Sequence, residues 1–440
     1  MKRLFWMVAS CALFGSIGTY AEPWTLERAL SHALSHNPDA RIARQRVTAA
    51  QAGFDQANAA FHPRFQFQSS YTRSDNPMMV FGSILNQRAY SSRLDFNDVP
   101  DVDNMNAKGL VTLPVYAGGK NKAGREAARA NAEAAREEME AVRNILAFEV
   151  SRGFYTVQKT RNFIKAAEAG VKSLEGNLEV ARKRLAAGSL LKTDLLDMEV
   201  RLAEIREDLM KAQNANALAH RTLRNLLGIE EGDFAVVDSL LMTGNAPGTD
   251  DFSGRAELAA ARHRELAAEE QVRAQKAAYL PRVNAFGSLD YDYGWKYEEG
   301  GGSYAAGLLL QWDLWDGQQT RARVREAKAN LESAREEQRK LRLALDLEVE
   351  QARLGLKSAN DRLAVTELAV SSAAESADLT RARFDQGAAL STQLMDAETA
   401  LINARVRHAE AEADRQIAIA ALRKALALPQ LDPQPKSENK

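Results

Sequence analysis

The chain has 440 residues and a formal charge of −1, with 58 basic against 59 acidic side chains and a single cysteine, Cys11. That balance argues against a nucleic-acid partner, and one cysteine excludes both a disulfide framework and a thiolate metal centre. With only 11 prolines and 27% charged residues, the alanine-rich sequence points to long helices.

Residues 1–21 read as a secretory signal peptide. Lys2 and Arg3 open it, an apolar run follows from Leu4 to about Ile17, and Thr19, Tyr20 and Ala21 precede the expected cleavage point. The run is too short for a membrane anchor and contains Gly15 and Gly18. Val8-Ala9-Ser10-Cys11 offers an alternative, a lipoprotein cleavage box. Loss of Lys2 and Arg3 with the signal would leave a mature chain of charge −3 without cysteine.

Beyond the signal the first repeat is expected to open with helices, and period-2 patterning follows them. Phe65, Phe67, Ser69 and Tyr71 alternate with Gln66, Gln68, Ser70 and Thr72, and a partner strand is expected from about Asn104 to Val115. The stretch between Tyr71 and Asn104 contains Asp75-Asn76-Pro77 and the acidic run Asp95 to Asp103, and reads as a solvated surface loop. From Gly118 the period becomes helical as far as Gly188, where "RLAAGSLLKTDLLDME" (Arg184 to Glu199) turns the chain into a second helix ending near Leu227.

That phrase recurs. "RFDQGAALSTQLMDAE" (Arg383 to Glu398) matches it at 7 of 16 positions, at an offset of 199 residues. The offset also relates Tyr116-Ala117-Gly118 to Trp315-Asp316-Gly317, and Leu223-Arg224 to Leu422-Arg423. Phe61-His62-Pro63-Arg64 matches Tyr279-Leu280-Pro281-Arg282 at 218 instead, so the first half carries 19 extra residues between the two markers. The chain is thus a tandem duplication with one enlarged loop. Its second half repeats the order. Val283, Ala285, Gly287, Leu289, Tyr291 and Tyr293 form one strand face; Tyr304, Ala306, Leu308, Leu310 and Trp312 form another, with Glu-Gly-Gly-Gly-Ser as the expected turn between. The row Ala327, Leu331, Ala334, Gln338, Leu341, Leu345, Val349, Ala352, Leu356, Ala359 and Leu363 then follows a coiled-coil face. Its extra four-residue step at Leu341, Leu345 and Val349 relaxes supercoiling towards a straight rod. The 70 residues separating each glycine pair span about 105 Å of helix.

The fold class expected is mainly α with a membrane β-barrel: a long helical coiled-coil barrel plus four strands per protomer. Strands of this length, apolar on one face and aromatic towards their ends, suit a membrane barrel. Four cannot close alone, and open edges in lipid would leave backbone groups unpaired, so three copies are expected to give 12 strands. The organisation expected is a signal peptide over 1–21, a first repeat over 22–228, an equatorial linker over 229–253, a second repeat over 254–428 and a disordered tail over 429–440.

These features resemble the TolC family of outer-membrane efflux channels, over nearly the whole mature chain. The markers are Asn37-Pro38, Pro63-Arg64, Pro114-Val115-Tyr116-Ala117-Gly118-Gly119, Pro281, Asp313-Leu314-Trp315-Asp316-Gly317 and the doubled phrase. Ala256 stands where the family usually has proline, so a looser helix start is expected there. The resemblance implies a homotrimer crossing the outer membrane and extending into the periplasm. It would be a passive exit duct for a tripartite efflux pump or a type I secretion system, joined by a periplasmic adaptor to an inner-membrane pump. It also implies a periplasmic entrance lined by Asp194, Asp197, Gln393 and Asp396, with Gln393 departing from the family's acidic residue. The tip turns Gly188, Ser189, Thr193, Gly387, Ala388 and Thr392 would receive the adaptor. Tyr116, Tyr291, Tyr293, Tyr304, Trp312 and Trp315 are expected as membrane-interface aromatics in contact with outer-membrane lipid.

No catalytic constellation, phosphate-binding glycine motif or cofactor signature is present in the sequence, so no enzyme activity is expected. His32 and His36, four apart, lack a third ligand for a metal. A structural coiled-coil tether is the competing reading, and only the amphipathic strands speak against it.

Overall fold

A computed structural model describes residues 23–431, apart from 96, 233, 238–246 and 250. The expected signal peptide lies outside the described residues, as does the tail from 432 onward.

Helices α1 (Leu26–His36) and α2 (Pro38–Ala59) lead into strand β1 (Arg64–Ser74), helix α3 (Pro77–Asn86) and strand β2 (Val102–Tyr116). Helices α4 (Lys120–Ala186) and α5 (Lys192–Leu227) complete the first repeat. The second supplies α6 (Ala256–Lys276), β3 (Arg282–Gly294), β4 (Glu299–Gln311), α7 (Gln319–Asp385) and α8 (Ser391–Ala425). Both α4 and α7 have 67 residues, about 100 Å of helix at 1.5 Å per residue. Their starts, their ends and the starts of α5 and α8 all repeat at the 199-residue offset. The row read on α7 faces its partner: Val349 and Leu356 pack with Ile419 and Leu422 of α8. Helix α4 packs against α5, α6, α2 and α8, and so ties the two repeats together.

The four strands form one antiparallel sheet in the order β1-β2-β3-β4, so β1 and β4 are open edges. Directly paired residues share a face, and the register sorts them cleanly. Phe67, Gly109, Leu289 and Tyr304 lie on one face, and Gln68, Lys108, Asp290 and Ser303 on the other. The first face is apolar and solvent-exposed, including Phe65, Phe67, Leu308 and Leu310. The second is polar: Lys108 pairs with Asp290 at 3.3 Å, and Asp292 accepts from the side chains of Asn104 and Asn106. A barrel closed from such strands turns the apolar face to lipid and the polar face to its lumen.

Three expectations change. The Gly300-Gly301-Gly302 segment is strand rather than turn, because β4 begins at Glu299 and the turn is Trp295–Glu298. Neighbours explain the glycines: a Cβ at Gly300 would lie 2.7 Å from the Tyr291 hydroxyl, and one at Gly301 would lie 2.3 Å from the Asn86 carbonyl oxygen. The start of α6 at Ala256 is not loose. Arg255 is buried and donates to Glu257, Glu348 and the backbone carbonyls of Lys424 and Ala425, fixing the entry that a proline would otherwise pre-set. The tail expected to be disordered begins ordered: Arg423 donates to the Pro429 carbonyl at 2.6 Å, Gln430 donates to the Ala420 carbonyl, and Leu431 packs on the α1–α4–α5 core.

The enlarged loop between β1 and β2 also holds more structure than expected. Asn76-Pro77 is a helix start: the Asn76 side chain accepts from the backbone of Met78 and Met79 at 3.1 and 3.3 Å, and Pro77 occupies the first turn of α3. The linker also docks, since Val236 forms a parallel bridge with Trp24, and Trp24 joins the core of Leu30, Phe154 and Leu223.

Candidate functional site at the helical tips

The duplicated phrase folds into two helix–turn–helix tips at the end of the molecule far from the sheet. Gly188 and Gly387 have φ of 76° and 77°, the left-handed region that closes a helix. The next amides reach back by the same bonds: Ser189 N–H to the Arg184 carbonyl at 2.9 Å, and Ala388 N–H to the Arg383 carbonyl at 2.8 Å. Each tip is a Schellman turn, and the equal spacing of the two phrases follows from this shared geometry.

The two tips touch each other. Arg184 of the first donates to the Phe384 carbonyl of the second at 2.7 Å, and its guanidinium stacks over the Phe384 ring at 4.9 Å. A Cβ at Gly387 would sit 3.0 Å from that guanidinium, so glycine serves both the turn and the contact. Beneath them, Phe384, Leu394 and Met395 pack with Leu174, Leu178 and Met198 in one apolar cluster.

Sequence reasoning missed the most buried charge of this region. Glu398 is 1% exposed and accepts from Ser173 at 3.0 Å, Asn177 at 3.2 Å, and Arg381 Nη2 at 2.5 Å. Burial works against the Arg381 charge, but Glu398 and Asp378 outweigh it and hold its pKa above the ordinary value. The corresponding residues of the first repeat, Arg182 and Glu199, pair at 3.0 Å in the open, with side chains 61% and 41% exposed. The signal lay in the doubled phrase, but which copy is buried depends on the neighbouring α4.

Of the expected entrance residues, Asp194 is half-buried in the first turn of α5, whereas Asp197 and Asp396 are exposed in the second turns of α5 and α8. Gln393 has a local role: its side-chain oxygen accepts from the Leu390 N–H at 3.2 Å and caps α8. Ser189, Thr193, Ala388 and Thr392 are exposed around the turns, and the Ser189 hydroxyl donates to the Arg184 carbonyl. Farther from the turns, a groove of about 640 Å³ opens between α4, α5 and α8, bordered by Ile205, Ile402 and the Arg201–Thr399 hydrogen bond.

At the opposite end the aromatic residues fall into two groups. Tyr71 and Tyr293 gather on Trp295 at 5.8 and 5.5 Å near the β3–β4 turn, with Tyr291 two pairs further in on the same face. Trp312 and Trp315 are exposed at the helical end of the sheet, where Trp312 donates to the Tyr279 carbonyl. A bulge at Val115 brings Tyr116 opposite Val283, onto the apolar face. Tyr304 instead lies mid-strand, opposite Leu289. Asp316 of the same segment accepts from the Thr320 N–H and hydroxyl and holds the first turn of α7. Among the described residues no cluster of metal-ligating side chains occurs, and His32 and His36 stack face to face at 4.1 Å.

A family model of outer membrane efflux proteins matches residues 29–229 and 253–428. Among curated proteins, the cation efflux system protein CusC of Escherichia coli K12 is 25% identical over 261 residues, 58% of this chain and 53% of CusC. The outer membrane protein OprJ of Pseudomonas aeruginosa is 24% identical over 307 residues, 67% of this chain and 63% of OprJ. The matches thus span between about half and two thirds of these relatives. The same fold is found in solved structures: the Campylobacter jejuni CmeC outer membrane channel (TM-score 0.81, 14% identity, 98% of this chain and 96% of CmeC), and the Vibrio cholerae outer membrane protein VceC (TM-score 0.76, 21% identity, 91% and 95%).

Proposed function

The chain belongs to the outer membrane efflux protein family, and from that premise we propose that three copies close into one continuous tunnel across the outer membrane and the periplasm. The observation that carries this is the sheet: four strands, two open edges and an apolar exposed face. Open edges cannot persist in lipid, and three such sheets joined edge to edge leave none. A tether without a pore has no use for a sheet that is apolar on one face and lined by Lys108, Asp290 and Asp292 on the other.

The tunnel is a passive exit duct of a tripartite efflux pump or a type I secretion system, energised by inner-membrane partners. The helical tips form its periplasmic entrance. Asp194, Asp197 and Asp396 carry negative charge to that entrance; three copies of one carboxylate at ~6 Å repel by ~3 kcal/mol per pair at an effective dielectric of ~20, which favours an open mouth and attracts cations. A periplasmic adaptor docks helical hairpins at Gly188 and Gly387 and along the groove between α5 and α8, which an amphipathic helix could enter. The test is twofold. Detergent-extracted protein is expected at three times the monomer mass, and planar bilayers containing it are expected to carry discrete conductance steps. A folded, water-soluble monomer without conductance would overturn the reading.

A further inference from the structure

Helix α3 stands on the polar face of the sheet. Gln87, fully buried, donates to the Asp103 carbonyl at 2.7 Å and to the Asn104 side chain at 2.9 Å, and Asn104 shares its face with Asn106 and Asp292. A Cβ at Gly294 would collide with Gln87, and one at Gly301 with Asn86; both glycines lie on that same face. Arg88 adds a bond to the Gly302 carbonyl, and Val80 and Ile84 bury against Val102. So the enlarged loop folds over the face that a closed barrel turns inward, at the end remote from the long helices.

The opposite side of α3 is apolar and uncovered. Met78 and Leu85, 77% and 44% exposed, flank Gly82, where a Cβ would meet nothing within 4 Å. At 100° per residue these three positions point away from Val80 and Ile84, and therefore towards the barrel axis. We propose that the three α3 helices of a trimer meet on that axis through Met78, Gly82 and Leu85 and close the outer mouth of the channel.

Dimensions favour a second and third copy of α3 as the occupant of this face. Twelve strands ~4.8 Å apart and tilted by ~38° close a ring with a backbone diameter of ~23 Å. Three helices of ~10 Å diameter packed around an axis need a circle of ~22 Å, which matches the rim of that ring rather than the narrower lumen within it, so they cap the mouth at the strand ends. Glycine at the centre of the contact lets backbones approach, and the flanking Met78 and Leu85 exclude water. The 19-residue excess of the first repeat is thus the sequence that supplies this closure.

The inference rests on the trimeric reading, and the experiment separates the two. In a Cys11→Ser background, Gly82→Cys is expected to be crosslinked between subunits by a short bifunctional maleimide. Gln68→Cys, deeper on the same polar face, reports access from outside: a bulky membrane-impermeant maleimide should label it slowly on intact cells. Labelling should become severalfold faster when Met78→Asp and Leu85→Asp are added, because three pairs of carboxylates cannot stay together on the axis. Trimers that neither crosslink at Gly82→Cys nor change their labelling with the aspartates would overturn the closure. Absence of trimers would instead overturn the assembly on which it rests.

Discussion

Replacing Glu398 by alanine removes the acceptor that Ser173, Asn177 and Arg381 share at the second tip. Breaking a buried ion pair generally costs about 3–5 kcal/mol, chiefly through the charge left behind. Arg381 keeps 34% of its side chain in water, so solvent relieves part of that charge, and about 2–3 kcal/mol is the figure to expect here. At ~1.4 kcal/mol per tenfold, the contacts of α7 and α8 with α4 should then open about 30–150 times more often. Hydrogen exchange reads this directly, as a loss of protection at the first hydrogen-bonded amides of α8, from Leu394 to Glu398. The first repeat provides the control: Glu199→Ala breaks the matching but exposed pair with Arg182 and should cost under about 1 kcal/mol. Bilayer recordings should show more frequent openings for Glu398→Ala than for Glu199→Ala. Equal loss of protection at the two tips would refute the reasoning, since it derives the whole difference from burial.

Gly387→Val places a branched side chain at φ 77° against the Arg184 guanidinium. It should cost about 1–3 kcal/mol locally and lower export while trimers persist on gels. Asp396→Ala removes an exposed carboxylate, so melting should move little, whereas block of single-channel current by multivalent cations from the tip side should weaken. Arg255→Met severs a buried guanidinium from Glu257 and Glu348 and should lower stability by about 3 kcal/mol in thermal melts. That variant also carries a pH signature. Burial disfavours ionised Glu257, but Arg255 holds its pKa below the ordinary 4.5, so its stabilisation is present above that value and lost as pH falls through the depressed one. The native protein should therefore lose stability more steeply on acidification than Arg255→Met. An epitope inserted near Ser91, beyond α3, should bind antibody on intact cells; labelling only after permeabilisation would reverse the orientation of the sheet.

The long helices and tips were legible because a helix of 67 residues repeats its contact row many times, and because duplication supplied an internal check at Gly188 and Gly387. Strand positions were legible from alternation, but the β3–β4 turn was not. Gly300 to Gly302 read as the turn itself, whereas a tyrosine ring and the end of α3 occupy the space that side chains at Gly300 and Gly301 would fill. Helix α3 was hidden for a related reason. Asn76-Pro77 begins a helix as well as a turn, and ten residues show too little periodicity to decide between them. Burial of Glu398 but not Glu199 was out of reach, since the matched arginine and glutamate of the two phrases meet α4 differently in the two repeats. Ala256 misled because the entry to α6 is fixed by Arg255 through partners 93 and 170 positions away.

The equal lengths of α4 and α7 restrict how this protein can change through evolution. One residue inserted in α4 alone would lower the first tip by ~1.5 Å and rotate it by ~100°, carrying Arg184 away from the Phe384 carbonyl. Lineages that need a longer or shorter reach must therefore alter both helices together, in multiples that restore the phase of the contact row. Insertions and deletions in the two halves should appear as matched pairs, a bookkeeping of lengths that ordinary surface loops never keep.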